Sequence, residues 1–118
     1  KMPARTGKGR QAKGRSFERQ VIQDLWAWMQ MEPPWKKHAR PDGGYRAPYP
    51  FDQWTIECKN QEALAIWGAL KQAAEDAGVG GLPCVIFTRA RAPRYVALKF
   101  EDWCGLVVRA AATSSRRG

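Results

Sequence analysis

The sequence predicts a single α/β domain built on a mixed sheet, and three observations carry that expectation. Helical stretches alternate with short strands in the order helix, two or three strands, helix, two strands, helix. The run PCVIFT is continuously apolar, as a strand at the centre of a sheet covered on both faces must be. A chain of 118 residues, 44% apolar with six Trp and four Phe, is enough for one core and too short for two.

The elements follow in order. Residues 1–14 read as a flexible basic arm, because seven of the twenty Lys and Arg fall in the first nineteen positions with little apolar content among them. SFERQVIQDLWAWMQM, residues 16–31, has helical periodicity: Phe17, Val21, Ile22, Leu25, Trp26, Trp28 and Met29 share one half of the wheel. Pro33 and Pro34 close that helix. Residues 35–50 form a loop-rich region with two strands, punctuated by PDGG, Pro48 and Pro50. A strand spans residues 54–59. Asn60 is placed to cap a second helix, residues 61–77, which Gly78 ends. PCVIFT and YVALKF are the remaining strands, joined by the basic turn RARAPR, and EDWCGLVVRAA closes the fold as a helix. The folded domain is thus residues 15–111, and residues 112–118 are a polar tail.

A net charge of +9 implies a polyanionic partner such as nucleic acid and says nothing of the fold. Cys58, Cys84 and Cys104 are odd in number and widely spaced, with only His38 to assist, which fits small buried apolar residues better than a zinc site or disulfides. No apolar run approaches the roughly 18 residues of a membrane span. The expectation is a soluble, cytoplasmic protein with no membrane partner.

Two features carry chemistry. Glu18 lies mid-stripe on the first helix, between Leu25 and Met29 on the wheel, where a carboxylate is desolvated unless a cation meets it. A salt bridge to an Arg at the core edge and a metal-binding cleft both account for it. Glu57 and Lys59 alternate with Ile56 and Cys58, so the acid and the amine share one strand face. An ion pair on an edge strand is worth little. A strand inside a sheet, by contrast, uses a polar face to line a cleft. With Asp42 upstream, the chain offers the oxygen ligands that a hard divalent ion requires.

Asp42 after Pro41, with Glu57-Cys58-Lys59 fifteen residues on, resembles the active-site signature of the PD-(D/E)XK nucleases. KGRSFERQVIQDL is similar to the opening helix of archaeal-type Holliday junction resolvases. IECKNQEALAIWGALKQAAEDAG and PCVIFTRARAPRYVALKFEDW resemble their phage-encoded relatives. The resemblance covers most of the chain beyond the arm, and it implies a restriction-endonuclease-like αβββαβ core. It implies that Asp42, Glu57 and the Cys58 carbonyl hold Mg²⁺, with Mn²⁺ as a substitute, that Glu18 supports the metal, and that Lys59 is catalytic. The aspartate of the family begins an apolar strand, whereas Asp42 is followed by Gly43, Gly44 and Tyr45, so Asp52 competes for its role. The implied reaction is hydrolysis of DNA phosphodiesters at four-way junctions in paired symmetric nicks by a homodimer. It would proceed in the host cytoplasm if the chain is phage-encoded.

Charge and position add DNA-binding candidates: Lys8, Arg10, Lys13 and Arg15 before the helix glutamate, Arg19 after it, Arg40 and Arg46 flanking the Asp42 turn, and Lys71 with Gln72 on the second helix. Two rival readings stand beside junction resolution. One is a related nuclease acting on flaps, ends or a specific site. The other is a non-catalytic basic DNA-binding domain in which Glu18, Glu57 and Lys59 are structural.

Overall fold

The computed structural model describes residues 7–33 and 45–117, with side chains for 16–33 and 45–113. Within them the chain is a single α/β domain with a mixed sheet. Helix α1 (Gly7–Trp28) precedes strand β1 (Thr55–Asn60), helix α2 (Ile66–Ala77), strands β2 (Pro83–Thr88) and β3 (Tyr95–Leu98), and helix α3 (Phe100–Arg117). The sheet runs β1-β2-β3, with β1 and β2 parallel through the α2 crossover and β2 and β3 antiparallel.

Strand β2 is the centre, as its continuous apolar run demands. Its alternation divides the core: Cys84 and Ile86 face α1, and Val85 and Phe87 face α2. Phe17, Val21 and Ile86 form one buried cluster with Ile56 and Cys58 against it, and Ile22, Trp26 and Ala47 form a second on the same side. On the opposite side Val85 and Ala73 are completely buried with Ala69. Burying a valine side chain contributes about 1.5 kcal/mol, so this small apolar seam is what holds α2 to the sheet.

Several boundaries differ from the sequence expectation. Helix α1 begins at Gly7, so residues 7–14 of the expected flexible arm are helical; residues 1–6 lie outside the described residues. It ends at Trp28, several residues before Pro33, through its own backbone: Gln30 takes φ 56, Gln30 N–H donates to Ala27 O and Met31 N–H to Trp26 O. Those are the two bonds of a Schellman motif. Trp28 is consequently 80% exposed, although the wheel placed it on the apolar half.

Asn60 does not cap α2. It is the last residue of β1, paired with Thr88, and Gln61 N–H continues the ladder by donating to Thr88 O. The α2 helix waits until Ile66 because residues 61–65 serve the next turn instead, with Ala90 N–H donating to Glu62 Oε1 at 3.0 Å. At the other end α3 absorbs the expected polar tail as far as Arg117. The two strands expected in residues 35–50 fall mostly outside the described residues; in 45–53 there is an isolated bridge at Tyr45 and a 3-10 turn, Phe51–Gln53.

Candidate nucleic-acid cleavage site

Strand β1 carries the candidate acid and amine on one polar face, because successive side chains of a strand alternate between its two faces. Ile56 and Cys58 pack toward α1. Glu57 and Lys59, registered with Val85 and Phe87, therefore stand on the α2 side. Lys59 Nζ lies 3.4 Å from Glu57 Oε1, with each side chain about one-fifth exposed at 22%. The ammonium also donates to Gln72 Oε1 on α2, at 3.4 Å. An acid, an amine and an amide thus meet at the surface end of a half-buried strand. Gln72, offered with Lys71 as a DNA-contact candidate from its place on the polar half of the second helix, is exposed and accepts this bond from Lys59.

Glu18 is not brought to this pair. It lines a cavity of about 330 Å³ on the α1 side, together with Ile22, Arg46, Asp52, Ile56 and Cys58. Asp52, the competing metal aspartate, is on that side as well, at the start of the 3-10 turn. The thickness of the sheet separates Glu18 and Asp52 from Glu57 and Lys59. The reason is local: residues 56 and 58 of β1 point at α1, so anything seated on α1 meets them and not their neighbours.

Asp42 and Arg40 lie outside the described residues as well, and so do the side chains of Lys8, Arg10, Lys13 and Arg15, whose backbone forms the first turns of α1. Arg19 is exposed, with its guanidinium 5.7 Å from the centre of the Tyr45 ring. Arg46 is exposed, and its backbone carbonyl accepts a bond of 3.0 Å from Trp26 Nε1. Lys71 is exposed on α2, one residue from Gln72. Among the described residues no three His, Cys, Asp or Glu side chains form a metal-binding group.

One link was missed in the sequence. Arg94, after β2, pairs with Asp24 of α1 and lies over the Phe17 ring at 5.8 Å. It ties the β2–β3 turn to α1, and nothing in the spacing of residues 24 and 94 announces it.

Comparison with known proteins returns nothing: no family model, no curated protein and no solved structure matches the chain. No helix of the described residues is long and apolar enough to cross a membrane.

Proposed function

We propose that the chain is a Mg²⁺-dependent DNA endonuclease that nicks four-way junctions, acting as a homodimer. The observation that carries this reading is the Glu57–Lys59 pair, held at 3.4 Å with Gln72 behind the amine. Two charges that are each about one-fifth exposed give up part of their hydration for a pairing of small net worth, which is little reason to place an acid and an amine on a strand face that otherwise meets Val85, Phe87 and α2. The order of elements, with a glutamate-bearing helix, the Glu-x-Lys strand, a crossover helix and a parallel strand, supports it too. So does a charge of +9, which favours a DNA backbone.

The donor set fits a hard cation in part. Mg²⁺ takes one or two carboxylates and fills its remaining positions with waters and phosphate oxygens. Glu57 and the Cys58 carbonyl would be the ligands supplied by β1, with Asp42 the second carboxylate that the resemblance implies. When bound, the ion supplies Lewis-acid polarisation of the phosphate and a more acidic water. The chain's own contribution is the Lys59 ammonium, which offsets negative charge gathering on the phosphate oxygens. Gln72 keeps it from collapsing wholly onto Glu57. Lys71 stands beside them for a flanking phosphate.

A second reading is favoured by the division of acids across the sheet. With Glu18 and Asp52 on the α1 side and Glu57 and Lys59 on the other, a non-catalytic basic DNA-binding domain needs no convergence of the four. A panel of four-way junctions, flaps, ends and linear duplex, incubated with and without Mg²⁺ at one salt concentration, separates the readings. Nicking confined to junctions supports resolution, nicking of flaps, ends or a fixed linear site assigns a related nuclease, and binding with no cleavage of any substrate favours the binding domain.

A further inference from the structure

The cavity on the α1 side has no part in chemistry on the α2 face of β1. Its volume of about 330 Å³ is at the lower end of the range for small-molecule pockets, about 300–1,000 Å³. Three kinds of side chain line it. Tyr45 and Trp54 are aromatic and half-buried, Ile22 and Ile56 are aliphatic, and Glu18, Arg46 and Asp52 bring two carboxylates and a guanidinium. Among the described residues the Arg46 guanidinium, the Asp52 carboxylate and the Trp54 indole N–H make no hydrogen bond or ion pair with the protein. Donors and acceptors are thus left open beside aromatic surface. Such a lining rules out most ligand classes. A phosphate would meet Glu18 and Asp52, and an ammonium or guanidinium ion would meet Arg46. A hydrocarbon would take water from three charged groups and offer them no partner. A neutral planar ring, with acceptors on one edge and donors on another, satisfies them all and stacks on the aromatic side chains. Guanine divides its edges in that way. Its O6 and N7 accept from a guanidinium, and its ring N–H and amino group donate to a carboxylate.

We propose that this cavity is a pocket for an unpaired guanine extruded from the DNA that the chain binds. The inference takes its ligand from the DNA reading above and does not require the chain to cleave anything. Arg46 reads the O6 and N7 edge, Asp52 accepts from the amino edge with Glu18 as a second acceptor, and Tyr45 and Trp54 supply the stacking surface. Edge hydrogen bonds and aromatic stacking are the usual means of holding an extruded base. Position favours a base carried on a strand of DNA. Among the described residues β1 lies at an edge of the sheet, and the cavity residues Ile56 and Cys58 alternate along it with Glu57 and Lys59. A DNA strand running along that edge puts a phosphate on one face and a base on the other. A base inside a paired stack has neither its pairing edge nor its ring faces free. The pocket therefore selects DNA with unpaired positions.

The experiment is equilibrium binding of the full chain, in EDTA and at one salt concentration, to hairpin duplexes that differ only in a single bulged position: guanine, thymine or an abasic site. The guanine hairpin is expected to bind about fivefold or more tighter than the other two, the discrimination of one well-placed base contact. Asp52→Ala and Arg46→Ala, both at exposed positions, are expected to erase that preference while keeping the circular dichroism spectrum. Guanosine alone, which carries no phosphate, is expected to shift the Trp54 indole N–H resonance, assigned with Trp54→Phe. Equal binding of the three hairpins, no binding of any, or a preference that survives both substitutions overturns the proposal. A guanosine shift with no preference among the hairpins overturns it too, since the pocket would then take a free nucleoside. A preference among the hairpins with no guanosine shift places the base contact outside the cavity, with the same consequence. A preference seen only when Mg²⁺ replaces EDTA would make Glu18 and Asp52 ion ligands and overturn it equally. Preference for the guanine hairpin without cleavage of any DNA removes the nuclease reading alone, and junction cleavage without the preference removes only the pocket.

Discussion

Cys84 is 5% exposed in β2, and burial pushes its thiol up to about 11 from the ordinary 9.0. The neutral thiol is the form the core accepts. Because the folded value is raised, this contribution to stability is fully present below about pH 9 and is lost as pH climbs through about 11. The unfolding free energy of the wild type, read from denaturant curves, is therefore expected to fall across that window by on the order of 2 kcal/mol, and Cys84→Ala to lack that part of the fall. Identical slopes for the two proteins would show that the thiol is not responsible. On the proposed reading Lys59 makes a different demand on its surroundings, since its amine has to be aimed and not merely buried. Gln72→Ala removes one acceptor at 3.4 Å, so single-turnover junction cleavage is expected to slow about fivefold, the rate equivalent of one modest hydrogen bond. Cleavage at the wild-type rate would mean that Glu57 alone positions the lysine.

At the scale of the elements, the turn between α2 and β2 decides whether the crossover closes. Gly78 takes φ 70 after the last helical residue, and at Gly81 a Cβ would sit 2.3 Å from the Ala77 carbonyl oxygen. Backbone cannot step aside as a flexible side chain can. Gly81→Ala is expected to destabilise the fold by about 1–3 kcal/mol, read as a lower denaturant midpoint, while Gly68→Ala, in the first turn of α2 with open space around it, is expected to stabilise slightly or do nothing. These same elements show what the sequence made legible. The apolar run of β2 and the alternation of β1 gave their positions to within a residue, because strand burial writes itself as period and continuity. The starts of α1 and α2 were not legible: the first is set by helix propagation through a basic stretch, the second by Glu62 binding a turn far along the chain. Glu18 illustrates the limit for the site. A helical wheel shows that it faces the core, but which side of β1 it reaches depends on tertiary packing, and there it joins Asp52 on the α1 side.

The whole molecule combines a small two-sided core, a strand whose α2 face carries Glu57 and Lys59, and a terminal helix that leaves its apolar stripe uncovered. The sequence carries a surplus of basic charge, +9 in all, which on this account suits DNA phosphates. On this account the α2 face of β1 is where phosphodiester chemistry occurs, and the α1 face is where the domain is held together. The most direct test is cleavage of a synthetic four-way junction with Mg²⁺ by the wild type, Glu57→Gln and Lys59→Ala, with junction binding measured in parallel. The account predicts nicking by the wild type and a loss of about a hundredfold or more in either variant, with binding retained. Junction binding without nicking by the wild type, or nicking that survives both substitutions, would contradict it.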